Sequence, residues 1–513
     1  MIDTPSSRLS VWLLGDQLLE DHSAIRAARE SGLPFRVVII ESYRRAQNLP
    51  YHRKKLVLLF SAMRHFAQQL QQDGIAVDYQ RAPDFLTGLM NHVRSWQPNH
   101  MLFMSASQAA GRNFQFNLEQ RLGIAVSILP PAQFLTGSFD PFPQLDPDKR
   151  VLMENFYRRM RGHFQVLMQP SGEPEGGRWN FDQQNRLPLP KGISIPEPPA
   201  FQPDEITLQV IGEVDALPLG VGRTIGFGLA VTHAQAKLAL DDFIQRRLAH
   251  FGEYEDAMSH AHSTLFHSCL SPYLNTGLLK PLQVVRAVEQ AYRHGKAPLN
   301  SAEGFIRQVM GWREYINWMY WRRISKWEAD NHWRAERSLP SWFWNGQVRM
   351  RCMKTALRRA LDTGYLHHIE RLMLISNFAQ LSGVRPLAVN HWFLACFIDA
   401  YEWVMLPNVL GMGLYADGGQ LASKPYIASA NYINRMSDFC DECQYDPKLR
   451  RGKGACPFNV LYWNFLIMHE AALRRNPRMG KSLLGLRRLG AEERREITSD
   501  ANRLLENLDE LSG

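Results

Sequence analysis

No stretch of about 18 uncharged apolar residues occurs in the chain, so a membrane-spanning helix is not expected. The opening "MIDTPSSRLSVWLLGDQ" lacks a basic segment followed by a long apolar core, and no secretory leader is expected from it. Cysteine is scarce, with six in 513 residues. That usage fits a cytoplasmic, reducing setting, where clustered thiols bind metal more often than they form disulfides. No G-x-G-x-x-G follows the first apolar run, which removes the usual dinucleotide fingerprint at that place. The one glycine-rich run, "LGVGRTIGFG", follows the proline-rich "RLPLPKGISIPEPPAFQP" with the wrong spacing and reads as a loop. A second C-x-x-C is also missing, which argues against a zinc ribbon. There is no internal repeat.

What is present begins with alternation. The β-branched runs "RLSVWLLG", "FRVVIIES", "IAVDYQ", "HMLFMSA" and "IAVSILP" are separated by helical stretches such as "RKKLVLLFSAMRHFAQQLQQDG". Strand and helix in alternation predict a five-stranded parallel, Rossmann-like α/β domain over residues 1–130. Its strand ends, where such sheets bind ligands, fall near Gly15–Gln17, Glu41–Ser42 and Ser105–Ser107. Residues 131–231 read as an interdomain linker, with local structure in its long stretch from about 165. From Thr232, a predicted N-cap, residues 232–513 read as a large all-α domain.

Near the end of the chain, "CDECQYDPKLRRGKGACP" places Cys440, Cys443 and Cys456 together among lysines and arginines. Four sulfur ligands suit tetrahedral zinc or an iron–sulfur cluster, and spacing leaves both open. The fourth ligand must come from a distance. Cys269 and Cys396 lie in apolar contexts that suit core packing, whereas Cys352 stands among basic residues and is the better candidate. Between Lys448 and Arg488 there are ten Lys/Arg and one acid, Glu470. Such a stretch is either a solvated face or a phosphate-backbone footprint.

Several segments of the helical half carry a resemblance. "HSTLFHSCLSPYLNTGLL" resembles the Ser-x-Leu-Ser-Pro-Tyr segment with which photolyases and cryptochromes bind FAD phosphates. "FIRQVMGWREYINWMY" is similar to that family's Arg-Gln-x-x-x-Trp-Arg-Glu helix. "GYLHHIERLMLISNFAQL" and "FIDAYEWVMLPNVLGM" resemble the flavin-flanking helix and the loop after it. With the four cysteines and "LLGDQL", the whole chain resembles the bacterial iron–sulfur branch of the photolyase/cryptochrome family.

The resemblance implies FAD, a [4Fe–4S] cluster held by Cys352, Cys440, Cys443 and Cys456, and a 6,7-dimethyl-8-ribityllumazine antenna at Asp16, Gln17 and Glu41. It implies light-driven repair of (6-4) photoproducts in UV-damaged DNA by a monomer, a lyase, with a cryptochrome-like photoreceptor as the alternative. Ser268, Ser271 and the Leu270 backbone become phosphate contacts, with His267 nearby. Tyr254, Gln308, Gly311, Arg313, Tyr401 and Asn408 become further flavin-pocket residues. Arg371 and Asp399 become an ion pair along the flavin, while Met405 stands where relatives often carry a polar residue. His368 is expected to donate a proton to the lesion, with His367, its neighbour on a helix, in support. Trp392 and Trp344 would relay electrons. Tyr426 and Tyr432 would line the lesion pocket, and Lys448, Arg450 and Arg451 would face the duplex.

Overall fold

The computed structural model describes residues 7–146 and 149–513. Each β-branched run forms a strand: β1 Leu9–Leu13, β2 Phe35–Ser42, β3 Val77–Ala82, β4 His100–Met104 and β5 Ala125–Leu129. All pair in parallel, in the order β3-β2-β1-β4-β5. Side chains alternate across a strand, so the sheet has two apolar faces. Trp12, Val38, Ile40 and Phe103 form a core on one face. Val11, Leu13, Val37 and Ile39 join the main core that continues into the helical half. The order reverses between β1 and β4, and a crevice opens there beyond the strand ends.

The connecting segment carries local structure, as its reading allowed, and packs on both halves. Its helix Met153–Phe164 buries Phe156, Tyr157 and Met160. The helix Glu205–Asp215, capped by Asp204, is tied to the helix Arg53–Gln72, where Arg64 pairs with Glu213 at 2.5 Å. The glycine-rich run forms no helix or strand.

Thr232 caps the next helix as expected, its hydroxyl accepting from the Gln235 amide at 3.2 Å. From there the chain is helical nearly to its end. Three π-helical turns interrupt these helices, at Arg307–Arg313, Arg371–Ser376 and Pro407–Gly413. A π turn inserts one residue into the helical phase and turns side chains that an α-helix would aim elsewhere. All three contribute to one cavity. Among the described residues no helix is long and apolar enough to cross a membrane.

Candidate active site

The cavity occupies about 680 Å³ within the helical half. At one end stand Ser268, Ser271 and Asn275, at the start of the short helix Ser271–Thr276. The Ser271 hydroxyl donates to Asp399 at 2.6 Å, and the Asn275 amide donates to the Asp399 carbonyl at 2.9 Å. Arg371 grips the same carboxylate in a two-pronged pair at 3.0 and 3.1 Å, with both side chains largely buried. The middle is apolar, from Leu274, Ile316, Phe393, Met405 and Val409, with Asn408 beside them. A cavity of this size, with apolar walls and few fixed polar groups, is the form small cofactors occupy.

Residues from all three π turns reach it. Arg307, Gln308, Trp312 and Arg313 line the cavity, whereas Gly311 does not. Gly311 faces the connecting helix, where an added Cβ would meet Met153 Sδ and Tyr157 at 3.3 Å. Its expected pocket role is corrected: Gly311 lies off the stripe formed by Phe305, Val309, Trp312 and Ile316. Tyr254 is corrected too: its ring turns out onto Phe266 and His250, and its neighbours Glu255 and Asp256 face inward. The Leu270 side chain belongs to the core, and its amide donates to the Ser268 hydroxyl at 3.4 Å.

At the His267 side, next to Ser268, three imidazoles meet. His267 stacks on His367 with ring centres 4.5 Å apart, and meets His368 edge-on at 5.4 Å. His367 is not the helical neighbour expected. It occupies the extended N-cap position before the turn His368–Glu370, with φ −72° and ψ 163°. The change in backbone direction buries His367 completely and leaves the His368 side chain 44% exposed. Burial, then the neighbouring positive groups, holds His267 and His367 well below the usual histidine range, so both are neutral. His368 lines the cavity, its Nε2 3.7 Å from Asp256 Oδ1.

Tyr426 and Tyr432 line the same end, together with Lys424 and Arg186. Burial, and then Arg186 and Arg478, lowers the Lys424 ammonium below its ordinary value. Arg435 lies over the Tyr432 ring at 5.7 Å. Arg478 belongs to the basic stretch Lys448–Arg488, whereas Arg186, Lys424 and Arg435 lie outside it. The sequence reading placed the basic footprint at Lys448, Arg450 and Arg451. Lys448 is exposed, but Arg450 pairs with Glu493 at 3.2 Å and Arg451 with Glu496 at 3.0 Å, both on the helix Ala491–Glu506. Those two charges are partly neutralised within the chain.

A second cavity of about 750 Å³ lies beyond the strand ends. Asp16 lines it, accepting from the Ser107 hydroxyl at 2.5 Å. Gln17 and Glu41 do not line it. Gln17 donates to the Ser105 carbonyl at 2.9 Å. Glu41 points to the face opposite its cavity-lining neighbours Ile40 and Ser42, where Arg64 and Tyr79 hold it. Tyr401, expected in the flavin pocket, lines this second cavity. So does Lys55, a buried lysine on the helix Arg53–Gln72. Its ammonium donates to the Ala400 carbonyl at 2.5 Å and lies over the Tyr51 and Tyr401 rings at 4.5 and 5.3 Å. Burial, with Arg45 adding to it, lowers that ammonium to about 7.

Trp392 is fully buried and donates from its indole to the Phe343 carbonyl at 3.0 Å, while Trp344 is 40% exposed. Neither lines a cavity.

The cysteine loop closes through the Asp446 amide donating to Gly454 at 2.8 Å and the Cys456 amide donating to Asp446 at 3.2 Å. Arg351 ties it to the helix Arg351–Thr363 by pairing with Glu442 at 2.8 Å, one residue before Cys352. Burial, then Cys456, Cys440 and Cys443, pushes the Cys352 thiol well above its usual range, so the four thiols lie within electrostatic reach of one another. Among the described residues no three His, Cys, Asp or Glu side chains converge to metal-coordinating distance.

The fold is thus an α/β sheet domain joined to a helical domain that encloses a deep cavity. A family model described as deoxyribodipyrimidine photo-lyase-related protein matches residues 11–226. The chain is 41% identical over 507 residues to the (6-4) photolyase of Agrobacterium fabrum, covering 97% of this chain and 99% of that protein. Among solved structures, a class III photolyase from Agrobacterium tumefaciens aligns with 98% of both chains at 17% identity and TM-score 0.59. A Synechocystis cryptochrome aligns with 82% of this chain and 83% of its own at 16% identity and the same TM-score. The chain belongs to the photolyase/cryptochrome family.

Proposed function

We propose that the protein is a light-driven (6-4) photolyase acting on UV-damaged DNA in the cytoplasm, with His368 as the proton donor to the lesion. The observation that carries this reading is the placement of His368: partly exposed, in the cavity wall, paired with Asp256 and backed by two neutral imidazoles.

FAD fits the main cavity by the chemistry of its lining. Ser268 and Ser271 would bind the pyrophosphate with hydroxyls and helix-start amides. Arg371, fixed by Asp399, would set a cation beside the ring system, and Asn408 would offer an amide to it. When bound, FAD supplies the electron on illumination. His368 moves the proton that traps the reduced lesion, histidine being suited to this near neutral pH. His367, neutral and buried, supports the His267 ring that orients His368. Tyr426 and Tyr432 stack on or clamp the flipped base. Trp392 and Trp344 would carry electrons inward from the surface.

Cys352, Cys440, Cys443 and Cys456 would hold a [4Fe–4S] cluster with a structural role. Their fit rests on four free thiols, two of them buried, on a closed loop tied to one helix. The second cavity, with its aromatic and cationic walls, suits a lumazine antenna at Asp16, beside Lys55, Tyr51 and Tyr401.

The test is illumination of the reduced protein with defined (6-4) and cyclobutane lesions. Repair of the (6-4) lesion is expected; repair of neither lesion would favour the photoreceptor reading. A second measurement locates the DNA surface. Each phosphate neutralised releases counterions, so losing one contact should lower the salt slope by about 1. Lys424→Met with Arg478→Gln, which removes two cations, is expected to lower it by about 2, and Arg450→Gln with Arg451→Gln to change the slope less, because those two already have carboxylate partners. The reverse order would place the duplex on the cysteine loop.

A further inference from the structure

Behind the histidine end of the main cavity, one guanidinium serves three carboxylates. Arg307, 8% exposed, lies 3.0 Å from Asp182, 3.7 Å from Glu303 and 3.9 Å from Glu255. The other guanidiniums nearby are engaged: Arg161 donates to the carbonyls of Val166, Leu167 and Trp179, and the exposed Arg186 pairs with Asp182. Arg161 and Arg186 keep their charge, so the cations balance the acids; burial is what disfavours ionisation, and the carboxylate with the fewest partners keeps a proton.

Glu255 is the member placed to hold it and to release it. It has the longest contact to Arg307, its side chain is 6% exposed, and its Oε2 is buried without a hydrogen-bond partner. Glu303 accepts from the Phe181 amide at 3.0 Å and does not line the cavity, whereas Glu255 does. Burial, the largest influence, raises the Glu255 carboxyl to about 7; His368 and Arg307 oppose the rise, and Asp256 and Asp182 add to it. The Glu255 backbone also lies near the His267 ring, which touches both His367 and His368.

We propose that Glu255 is the proton reserve of His368, a positioning residue that acts through that imidazole. The inference rests on the reading of His368 as donor to the lesion. Once His368 has given up its proton, the O–H bond of the Glu255 carboxyl breaks and an N–H bond forms on the neutral imidazole. No electron changes hands in this step. The carboxylate that remains faces Arg307 and regains a proton from solvent through the cavity.

The experiment measures repaired product per absorbed photon against pH, with the flavin fully reduced, for wild type, Glu255→Gln, Glu255→Asp and His368→Ala. The wild-type yield should fall as pH rises through about 7, where the carboxyl loses its proton. Glu255→Gln should be flat through that interval and about tenfold lower, a fraction of the effect typical of the primary acid. Glu255→Asp should retain the step. Infrared difference spectra should show a protonated-carboxyl band that disappears over the same interval and is missing from Glu255→Gln. A wild-type yield with no step near pH 7 overturns the proposal even if Glu255→Gln fails to fold. Wild-type behaviour in Glu255→Gln beside an inactive His368→Ala removes the reserve alone, and an active His368→Ala removes the donor reading itself.

Discussion

His368→Ala is expected to lose (6-4) repair by about 10²-fold or more while keeping FAD and most of its DNA affinity. The reason is kinetic. An electron placed on the lesion returns unless protonation traps the product first, so removing the proton source lowers the yield per photon rather than the binding. The geometry allows a clean test, since the side chain is 44% exposed and its one ionic contact, at 3.7 Å to Asp256, is long. Little packing is lost. His367→Ala is a different experiment: that ring is fully buried and stacked on His267, so its removal opens a cavity beneath both other histidines. Equal repair yields in wild type and His368→Ala, at full FAD content, would remove this residue from the mechanism. A cyclobutane lesion, which can split without a matched proton transfer, supplies the internal control.

Cys352→Ser is expected to give an unstable protein depleted of iron. In a structural metal site the binding free energy is also folding free energy, on the order of 10 kcal/mol, and losing even a third of it removes much of an ordinary domain's margin. Cys352 lies in the first turn of the helix Arg351–Thr363, almost fully buried, so the substitution also places a hydroxyl where an apolar thiol stood. Cys396→Ser serves as the comparison: that thiol is buried in the core, away from the loop, and its loss should cost stability without touching the iron content. Iron and sulfide analysis with thermal unfolding decides the matter. A cluster-replete, stable Cys352→Ser would mean another residue is the fourth ligand.

The α/β domain was legible because its signals are local. Buried parallel strands are continuous β-branched runs, and all five lie where those runs stand. The Thr232 cap was legible for the same reason. So was the Arg371–Asp399 pair, since quoted family segments carried both residues. Side-chain direction within those segments was not. Glu41 and Gln17 sit at strand ends as expected, yet one faces the wrong side of the sheet and the other is tied to a carbonyl. Tyr401 lies two residues from Asp399 and lines a different cavity.

By itself, the sequence determined the five-stranded parallel sheet, the helical half that follows it and the family, because hydrophobic period and short motifs are properties of neighbouring residues. The tertiary structure decided which residues meet. Gly311 lies on the side of its helix that packs on Met153 and Tyr157, while Gln308 and Trp312 line the cavity, because the helices packed around it decide which stripe faces inward. An extended N-cap separated His367 from His368, burying one and exposing the other. The helix Ala491–Glu506 returned carboxylates to a loop that looked uniformly basic, because pairing across more than 40 residues depends on the fold and not on local composition.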